Sequence, residues 1–318
     1  MEKQAGKTQF KGVALLLLTA LIWGSSFVAQ SVGMRKIEAF TYSGIRTIMG
    51  AVVLLPFILI SDASRRRGMS PEQLAQKKAR DKKTVLCGCI LGIVFCFATN
   101  FQQFAFNYST SGKIAFITAL YMFFVPIIGL FFRKKTPLLT WICVLIGFFG
   151  LYFLCIDPRN LAGVNRGDIL TAVCAVFFAI HILLIERFSP DTDGLKLSCT
   201  QFVVAGIISC ILMFIFEEPR ILAIKSAIIP LLYSGVMSCG IAYTFQIIGQ
   251  KYTEATIASL IMCGESVFGV LTGAVLLHET LTPREILGCA VMFAAIILSQ
   301  LSDVITARIK GRRTSGRS

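Results

Sequence analysis

Residues 12–33 read GVALLLLTALIWGSSFVAQSVG, a stretch without a charged side chain. A helix needs about 20 apolar residues to cross the hydrocarbon core of a bilayer, so this stretch predicts a membrane-spanning helix. Nine comparable stretches follow it along the chain. The ten predicted spans are 12–33, 40–60, 84–106, 112–132, 138–156, 167–187, 197–216, 227–249, 255–277 and 284–303. The sequence therefore predicts an all-α membrane protein with ten transmembrane helices.

The composition agrees with a chain that is mostly embedded in lipid. Of its 318 residues, 55% are hydrophobic and 15% are charged, whereas a soluble domain carries about 25% charged residues. Charge is scarce because burying it in hydrocarbon is costly. The formal net charge of +14 would suit a nucleic-acid-binding protein, but the charges lie in short connections between apolar stretches. We therefore predict a lipid bilayer as the partner, and no nucleic acid.

The eleven cysteines lie almost entirely within the apolar stretches. None has the paired spacing with histidine that a zinc site shows, and cysteine is a common small filler between helices. We predict no disulfide, no bound metal and no cofactor. The chain also lacks a glycine-rich phosphate loop ending in Lys-Ser or Lys-Thr. This absence argues against ATP-driven pumping by this chain alone.

Lysine and arginine are unevenly divided between the two sets of connections. If the N-terminus is cytoplasmic, that side carries 22 basic residues and the other side carries 7. Cytoplasmic connections are enriched in Lys and Arg. Both termini are therefore predicted to lie inside the cell.

The chain divides into two halves of five spans each. Because five is odd, the second half must enter the membrane from the opposite side, which is typical of secondary transporters with inverted repeats. An ungapped shift of 144 residues aligns Gln102 with Gln246 and Tyr108 with Tyr252. The predicted organisation is a cytoplasmic N-terminus at 1–11, a first five-helix repeat at 12–156, an outer linker at 157–166, a second repeat at 167–303 and a basic cytoplasmic tail at 304–318.

The connection from Ser61 to Lys83 carries eight basic residues. Within it, Ser70, Pro71 and Gln73 have the order of a helix start with a capping box. Two interpretations stay open. The segment is either a short basic helix at the inner membrane surface or a solvated connection that fixes the topology.

Several motifs resemble those of one transporter superfamily. They are ALIWGSSF at 20–27, Arg46, YSTSGK at 108–113, YTEA at 252–255, Glu265 and HETLT at 278–282. With them the chain resembles the drug/metabolite transporter superfamily, in its ten-helix EamA-type branch. The resemblance implies a transporter that exports amino acids or related metabolites, or drugs. The family often has Pro after the acid of the ninth span, whereas Ser266 follows Glu265 here, so no proline kink is predicted at that point.

Polar side chains inside the predicted spans are the candidate substrate site, because such side chains usually face the bundle interior or a water-filled cavity. On the first span, one face of the helix carries Thr19, Trp23, Ser26 and Gln30. The alternative role for these side chains is hydrogen bonding between packed helices. The predicted substrate-binding residues are Trp23, Ser26, Gln30, Tyr42, Arg46, Asn100, Gln103, Lys113, Thr118, Tyr121, Tyr243, Gln246 and Glu265.

Two basic residues of this set have competing interpretations. The Arg46 guanidinium can hold a carboxylate or phosphate with two hydrogen bonds, or it can snorkel to the outer interface beside Tyr42. Lys113 opens the fourth helix, where the helix dipole disfavours a cation. A substrate anion or an acidic side chain is therefore expected beside Lys113, unless this lysine reaches the outer headgroups instead.

Two further residues are candidates for proton coupling. Glu265 is the only acid deep inside a predicted span. Its carboxylate can bind a substrate amino group, cycle a proton, or pair with Arg46 or Lys113. His181 is the second candidate, with a hydrogen-bonded core histidine as the alternative.

Together these features predict a secondary transporter that exports small organic metabolites, such as amino acids or carboxylates, by alternating access through a central cavity. Arg46, Lys113 and Glu265 suit a zwitterion or a carboxylate better than a lipophilic cation. The alternatives are an efflux carrier for drugs or lipophilic compounds, or a lipid flippase. An integral membrane enzyme is disfavoured, because the two histidines lie on separate segments.

The setting of the protein follows from the same features. The expected partners are a small-molecule substrate and the lipid bilayer, with proton coupling as a further expectation. The expected location is the plasma membrane, as a multi-pass protein of a bacterial inner membrane. The expected oligomeric state is a monomer or a homodimer.

Overall fold

The structure, a computed structural model, describes residues 2–134, 136–156, 163–276 and 281–315, with side chains described from Gln9 to Leu301 except at 273 and 276. Ten of its helices are long and apolar enough to cross a membrane. They are α1 (Glu2–Met34), α2 (Ala39–Arg66), α3 (Pro71–Ala105), α4 (Ser111–Ala119 and Tyr121–Phe131), α5 (Leu138–Cys155), α6 (Arg166–Phe188), α7 (Gly194–Phe216), α8 (Ile228–Leu232, Tyr233–Tyr243 and Thr244–Gly249), α9 (Ala255–Met262 and Glu265–Leu276) and α10 (Pro283–Ser315). The prediction of an all-α membrane protein with ten transmembrane helices is confirmed.

Three helices extend well beyond their predicted spans. The start of α1 moves from residue 12 to Glu2, the start of α3 from 84 to Pro71, and the end of α10 from 303 to Ser315. The added segments contain Lys, Arg, Gln and Ala, which are good helix formers. Extending an existing helix also adds one hydrogen bond for each residue fixed. The described parts of the predicted termini, 1–11 and 304–318, are therefore continuations of the spans.

The basic connection between α2 and α3 contains the predicted helix start. The Gln73 amide donates to Ser70 Oγ at 3.2 Å, and the Ser70 amide donates to Gln73 Oε1 at 3.0 Å. This reciprocal pair is the capping box, with Pro71 in the first helical position. The helix that starts here runs without interruption into the span. Most of the segment thus belongs to α2 and α3 and is not a separate short helix, whereas its role in fixing the topology stays a prediction.

Two spans are interrupted near their middle. The first segment of α4 ends at Leu120, and the first segment of α9 ends at Cys263 and Gly264. At the break in α4, the Leu120 amide donates to the Ile117 carbonyl at 3.2 Å. At the break in α9, the Gly264 amide donates to the Ile261 carbonyl at 3.0 Å. Such bonds tighten the last turn of a helix. The predictions of single helices over 112–132 and 255–277 are corrected accordingly.

The described helix ends gather into two groups. One group, which we call the basic end, holds the connections that follow α2, α4, α6 and α8. There Arg65 pairs with Asp193 at 2.7 Å, and Lys251 Nζ donates to the Thr192 carbonyl at 3.1 Å. At the opposite end, Glu217 accepts hydrogen bonds from the first amides of α2 at 2.7 Å each. These contacts fix which helix ends lie together.

A ring of four charges joins α2, α3 and α7 at the basic end. Asp62 pairs with Lys77 at 3.1 Å and with Lys196 at 2.8 Å, and Asp81 pairs with the same two lysines at 2.8 Å each. Single exposed ion pairs contribute about 0–1 kcal/mol, whereas networks of charges do more. Each of the four charges therefore has a partner where the three helices pack together.

The contact between α1 and the second segment of α9 is closest at Gly24. A Cβ atom at Gly24 would lie 2.4 Å from the Glu265 carbonyl oxygen and 2.6 Å from the Gly269 amide nitrogen. Both atoms belong to backbone, which cannot rotate away as a side chain can. Only glycine therefore fits at this crossing.

We expect Gly24→Ala to lower the free energy of unfolding by about 1–3 kcal/mol, the usual cost of overpacking. The measurement is the melting temperature of the purified protein in detergent. The matched control is Gly112→Ala, because the nearest atom to a Cβ there is the Cys155 carbonyl oxygen at 3.7 Å. Equal melting temperatures for the two variants would contradict the packing argument.

Candidate functional site

A small cavity lies at the middle of the bundle. It has a volume of about 30 Å³, enough for one or two water molecules and far below the roughly 300–1,000 Å³ of a small-molecule pocket. The helices are therefore closed around the centre, and a metabolite enters only if they move apart. The lining residues are Trp23, Phe27, Gln30, Arg46, Gln102, Thr118, Tyr121, Phe178, Ile182, Ser238, Tyr243, Gln246 and Glu265.

One wall of the cavity is aromatic. The ring centroids of Trp23 and Tyr243 are 4.5 Å apart, and Phe95 packs edge-on against Tyr243 at 4.7 Å. Tyr243 ends a π-helical segment of α8 that also carries Ser238. π-Helical turns are rare and occur frequently at functional sites, because the extra residue redirects side chains. Ser238 and Tyr243 of this segment both line the cavity.

Arg46 is the buried cation of the cavity, with 3% of its surface exposed. Its Nη1 donates to Gln30 Oε1 at 3.0 Å, and its guanidinium carbon lies 5.6 Å from the centre of the Tyr42 ring. The Nε atom is buried without a hydrogen-bond partner among the described residues. This geometry excludes snorkelling to the lipid interface. Tyr42 is fully buried as well, with its hydroxyl 2.6 Å from Ser234 Oγ, so it is not an interfacial belt residue.

Glu265 is the buried acidic residue of the same cavity, with 4% of its surface exposed. It is the first residue of the second segment of α9, where the partial positive charge of the helix dipole lies. Among the described side chains, neither Glu265 nor Arg46 belongs to an ion pair. The cavity therefore holds one basic and one acidic side chain, and neither has an ion-pair partner among the described residues.

Four cavity residues form two pairs under the 144-residue shift. Gln102 corresponds to Gln246, and Tyr121 corresponds to Glu265. Gln102 Nε2 donates to Thr118 Oγ1 at 3.2 Å, whereas Gln246 Oε1 has no partner among the described residues. The two halves of the chain thus contribute similarly placed residues, but only the second half contributes an acid.

The structure brings eight of the thirteen predicted site residues to the cavity. They are Trp23, Gln30, Arg46, Thr118, Tyr121, Tyr243, Gln246 and Glu265. The other five, which do not line it, are Ser26, Tyr42, Asn100, Gln103 and Lys113.

Lys113 and Asn100 have other partners. Lys113 pairs with Asp168 at 2.6 Å, and Asp168 also accepts from Ser109 at 3.0 Å. This acidic side chain offsets the unfavourable helix dipole at the start of α4. Asn100 donates to Ser209 Oγ at 2.8 Å and so ties α3 to α7. Both residues hold helices together in this structure.

Ser26 and Gln103 are buried, and their polar side-chain atoms have no partner among the described residues. Each such atom costs about 1–3 kcal/mol if it stays dry. Neither residue lines the cavity in this closed arrangement.

His181 lies behind the aromatic wall and not in the cavity lining. It is fully buried, its Nε2 is 2.9 Å from Gln201 Oε1, and its ring lies 5.5 Å from Phe95. These contacts match a hydrogen-bonded core histidine. The candidate for proton coupling inside the cavity is therefore Glu265.

Five lining residues were absent from the predicted set. They are Phe27, Gln102, Phe178, Ile182 and Ser238. Gln102 carried a signal, because it is the repeat partner of Gln246. The residues of α3 that were predicted to bind substrate, Asn100 and Gln103, do not line the cavity. Apolar residues such as Ile182 give no signal, because lipid-facing and cavity-facing isoleucines look alike in sequence.

No metal or cofactor site is evident in the described part of the chain. Within it, no three His, Cys, Asp or Glu side chains come together as they would around an ion. All eleven cysteines are free. Most of the HETLT turn, at 278–280, lies outside the described residues.

Comparison with known proteins places these features in a family. A model of the EamA-like transporter family matches residues 10–156 and again 165–301. A protein of Archaeoglobus fulgidus named "Uncharacterized transporter" is 28% identical, over 90% of this chain and 84% of its own length. The "Uncharacterized transporter YoaV" of Bacillus subtilis is 23% identical, over 89% and 94%. The "Uncharacterized inner membrane transporter YedA" of Escherichia coli K12 is 23% identical, over 90% and 89%.

A solved structure described as "Crystal structure of protein" has a TM-score of 0.71 and 16% identity, over 91% of this chain and 96% of its own. At that identity the likeness concerns the fold alone. The resemblance to EamA-type transporters is confirmed by the family match. Because the family model covers nearly the whole of both halves, the chain belongs to the EamA-like transporter family and is a multi-pass membrane transporter.

Proposed function

We propose that the protein is a secondary transporter of small zwitterionic or carboxylate metabolites, of the amino-acid type, and that it exports them by alternating access through the central cavity. The observation that carries this proposal is the presence of Arg46 and Glu265 in one cavity, each buried and outside any described ion pair. A zwitterion supplies both missing partners. Its carboxylate would bind the Arg46 guanidinium, and its amino group would bind the Glu265 carboxylate.

Energetics favour a charged substrate over a neutral one. A buried charge without a partner costs several kcal/mol, and pairing it recovers much of that cost. Arginine also presents planar donors that match a carboxylate in two-point fashion. The aromatic wall of Trp23 and Tyr243 would hold the apolar part of the solute. A lipophilic cation would leave Arg46 unpaired and place a like charge beside it.

Two alternatives remain from the sequence: an efflux carrier for lipophilic compounds, and a lipid flippase. A flippase needs a polar groove that opens to the lipid, whereas the polar groups here surround a cavity inside the bundle. An enzyme needs reactive groups that converge at one interface, and the cavity contains none of the usual nucleophile and base pairs. The cavity therefore supports a transporter better than an enzyme.

The same proposal includes the setting of the chain. The halves 12–156 and 167–303 are proposed to be inverted repeats, with the basic end in the cytoplasm. The basic end carries most of the lysines and arginines, as the positive-inside rule requires. Glu265 is proposed to couple transport to protons. The proposed location is the plasma membrane, and the proposed oligomeric state is a monomer or a homodimer.

A metabolite screen tests the substrate class. The melting temperature of the purified protein is measured with amino acids, their decarboxylated amines, their amides, and lipophilic cations. A ligand at 100 times its Kd stabilises the folded state by about 2.7 kcal/mol, which raises the melting temperature measurably. We expect stabilisation by zwitterions or carboxylates, followed by their flux in proteoliposomes. Stabilisation by lipophilic cations alone would contradict the proposal.

A further inference from the structure

The breaks in α4 and α9 occur at corresponding positions and touch each other. Leu120 and Gly264 are separated by the same 144 residues that relate the two halves. The Cys263 thiol donates to the Ala119 carbonyl at 3.4 Å. A carbonyl freed by the end of one helix segment is thus satisfied by a side chain at the end of the other. The two breaks form one junction at the level of the cavity.

Each break is followed at once by a residue that lines the cavity. Tyr121 begins the second segment of α4, and Glu265 begins the second segment of α9. A helix segment that pivots at such a break moves its first side chains relative to the rest of the site. Hinges of this kind lie at the ends of elements, where a few residues absorb the change in backbone angles.

The segments that lie between the junction and the basic end are Tyr121–Phe131 of α4 and Ala255–Met262 of α9. At the basic end, both segments are connected to the same side chain, Glu186, which lies near the C-terminus of α6. Lys134, which follows α4, forms an ion pair with Glu186. The Ala255 amide, which begins α9, donates to Glu186 Oε1 at 3.1 Å. One carboxylate thus holds the ends of both segments.

The contacts of Glu186 are suited to opening and closing. The Lys134 side chain is 47% exposed and that of Glu186 is 22% exposed, so water can replace each partner when the pair separates. A buried pair would instead leave uncompensated charges and resist separation. The Ala255 amide is one of the first four amides of its helix segment, which have no partner within the helix, so it can donate to water when Glu186 leaves.

We propose that Glu186 is a positioning residue for transport: it joins the basic-end halves of α4 and α9 and keeps the cavity closed toward that end. When Glu186 releases them, the two segments part about the junction at Ala119 and Cys263 and open the cavity. This inference rests on the proposed alternating-access function. It assigns a role to a residue that does not contact the substrate.

The test measures the exposure of the cavity without requiring a substrate. The chain contains two tryptophans, Trp23 in the cavity wall and Trp141 on α5. In a Trp141→Phe background, acrylamide quenching of the remaining fluorescence reports the exposure of Trp23. We expect Glu186→Ala to raise the quenching constant at least about twofold, because removing the contacts of one state shifts the population toward the other.

Two variants separate the contacts of Glu186. Glu186→Gln keeps an acceptor for the Ala255 amide but loses the charge, so we expect a smaller rise in quenching. Lys134→Gln removes the ion pair and leaves α6 and α9 unchanged, and we expect it to resemble Glu186→Gln. The matched control is Glu72→Ala, which removes an exposed acid from the start of α3 at the same end and should leave quenching unchanged.

Several results would overturn the role of Glu186. One is unchanged quenching in Glu186→Ala at an unchanged melting temperature. If Glu186→Ala does not fold, unchanged quenching in Lys134→Gln has the same meaning. An equal rise in Glu72→Ala would show a general effect of surface charge and would also overturn it. Absence of flux for every metabolite would contradict the proposed function and would leave the quenching result intact.

Discussion

Glu265→Gln is expected to abolish flux of a zwitterionic substrate in proteoliposomes, while the protein still inserts and folds. The substitution keeps the shape of the side chain and removes its charge. In a buried site, loss of one member of a charge pair costs about 3–5 kcal/mol, and each 1.4 kcal/mol is about tenfold in affinity. We therefore expect at least about a hundredfold loss in apparent affinity.

Two flux measurements distinguish the roles of Glu265. Exchange of labelled for unlabelled substrate across the membrane requires binding but no net proton movement. If Glu265 binds the substrate amino group, both exchange and proton-driven accumulation are lost in Glu265→Gln. Retained exchange with lost accumulation would instead assign the carboxylate to proton coupling alone. Unchanged flux with an unchanged pH dependence would remove Glu265 from the site.

The control for this prediction is Glu218→Gln. The Glu218 side chain is 90% exposed at the opposite end of the bundle, so its neutralisation changes the net charge by the same amount without touching the cavity. We expect wild-type flux from this variant. A similar loss in both variants would indicate an effect of total charge and not of the site.

The fold could be predicted from the sequence wherever hydrophobicity decides the structure. The ten spans follow from apolar stretches such as 12–33, because lipid leaves the backbone few alternatives to a helix. The helix ends could not be predicted in the same way. The added turns of α1 and α3 are polar, and hydropathy does not distinguish a polar helix from a polar loop. At Ser70 a local capping signal marked the true start of α3.

The breaks in α4 and α9 had no usable signal. Leu120, at the break in α4, is an ordinary helix former. Gly264 was one of many glycines in the spans, most of which serve close packing. At the breaks the two helices contact each other through the Cys263 thiol and the Ala119 carbonyl. Such a contact is tertiary and is absent from any single segment.

The candidate site was predictable in part for a similar reason. A polar stripe shows which residues avoid lipid, and this placed Trp23, Arg46 and Glu265 in the interior correctly. It does not show whether a polar side chain meets a cavity or a neighbouring helix. Asn100 donates a hydrogen bond to Ser209 on a neighbouring helix, and Lys113 forms an ion pair with Asp168. For α3 the internal repeat is more informative than the polar pattern, because it aligns Gln102 with Gln246, and both residues line the cavity.

Arg46→Ala is expected to weaken substrates that carry a carboxylate and to spare those that lack one. The comparison uses an amino acid, its amide and its decarboxylated amine, which differ only at the group that Arg46 would hold. Losing a two-point arginine contact in a buried site is expected to cost the carboxylate substrate at least about 3 kcal/mol, a factor of about a hundred. The amide and the amine should lose much less. Apparent affinities come from flux in proteoliposomes.

Arg46→Lys sharpens the comparison, because it keeps the positive charge and loses the planar pair of donors. We expect an intermediate loss for the carboxylate substrate, since a lysine binds an anion as a point charge. The control is Arg220→Ala, whose parent side chain is 80% exposed. Melting temperatures of all variants separate binding from folding, because removing Arg46 also leaves Gln30 Oε1 without its donor. An equal loss for the acid, the amide and the amine would show that Arg46 supports the bundle and does not select a carboxylate.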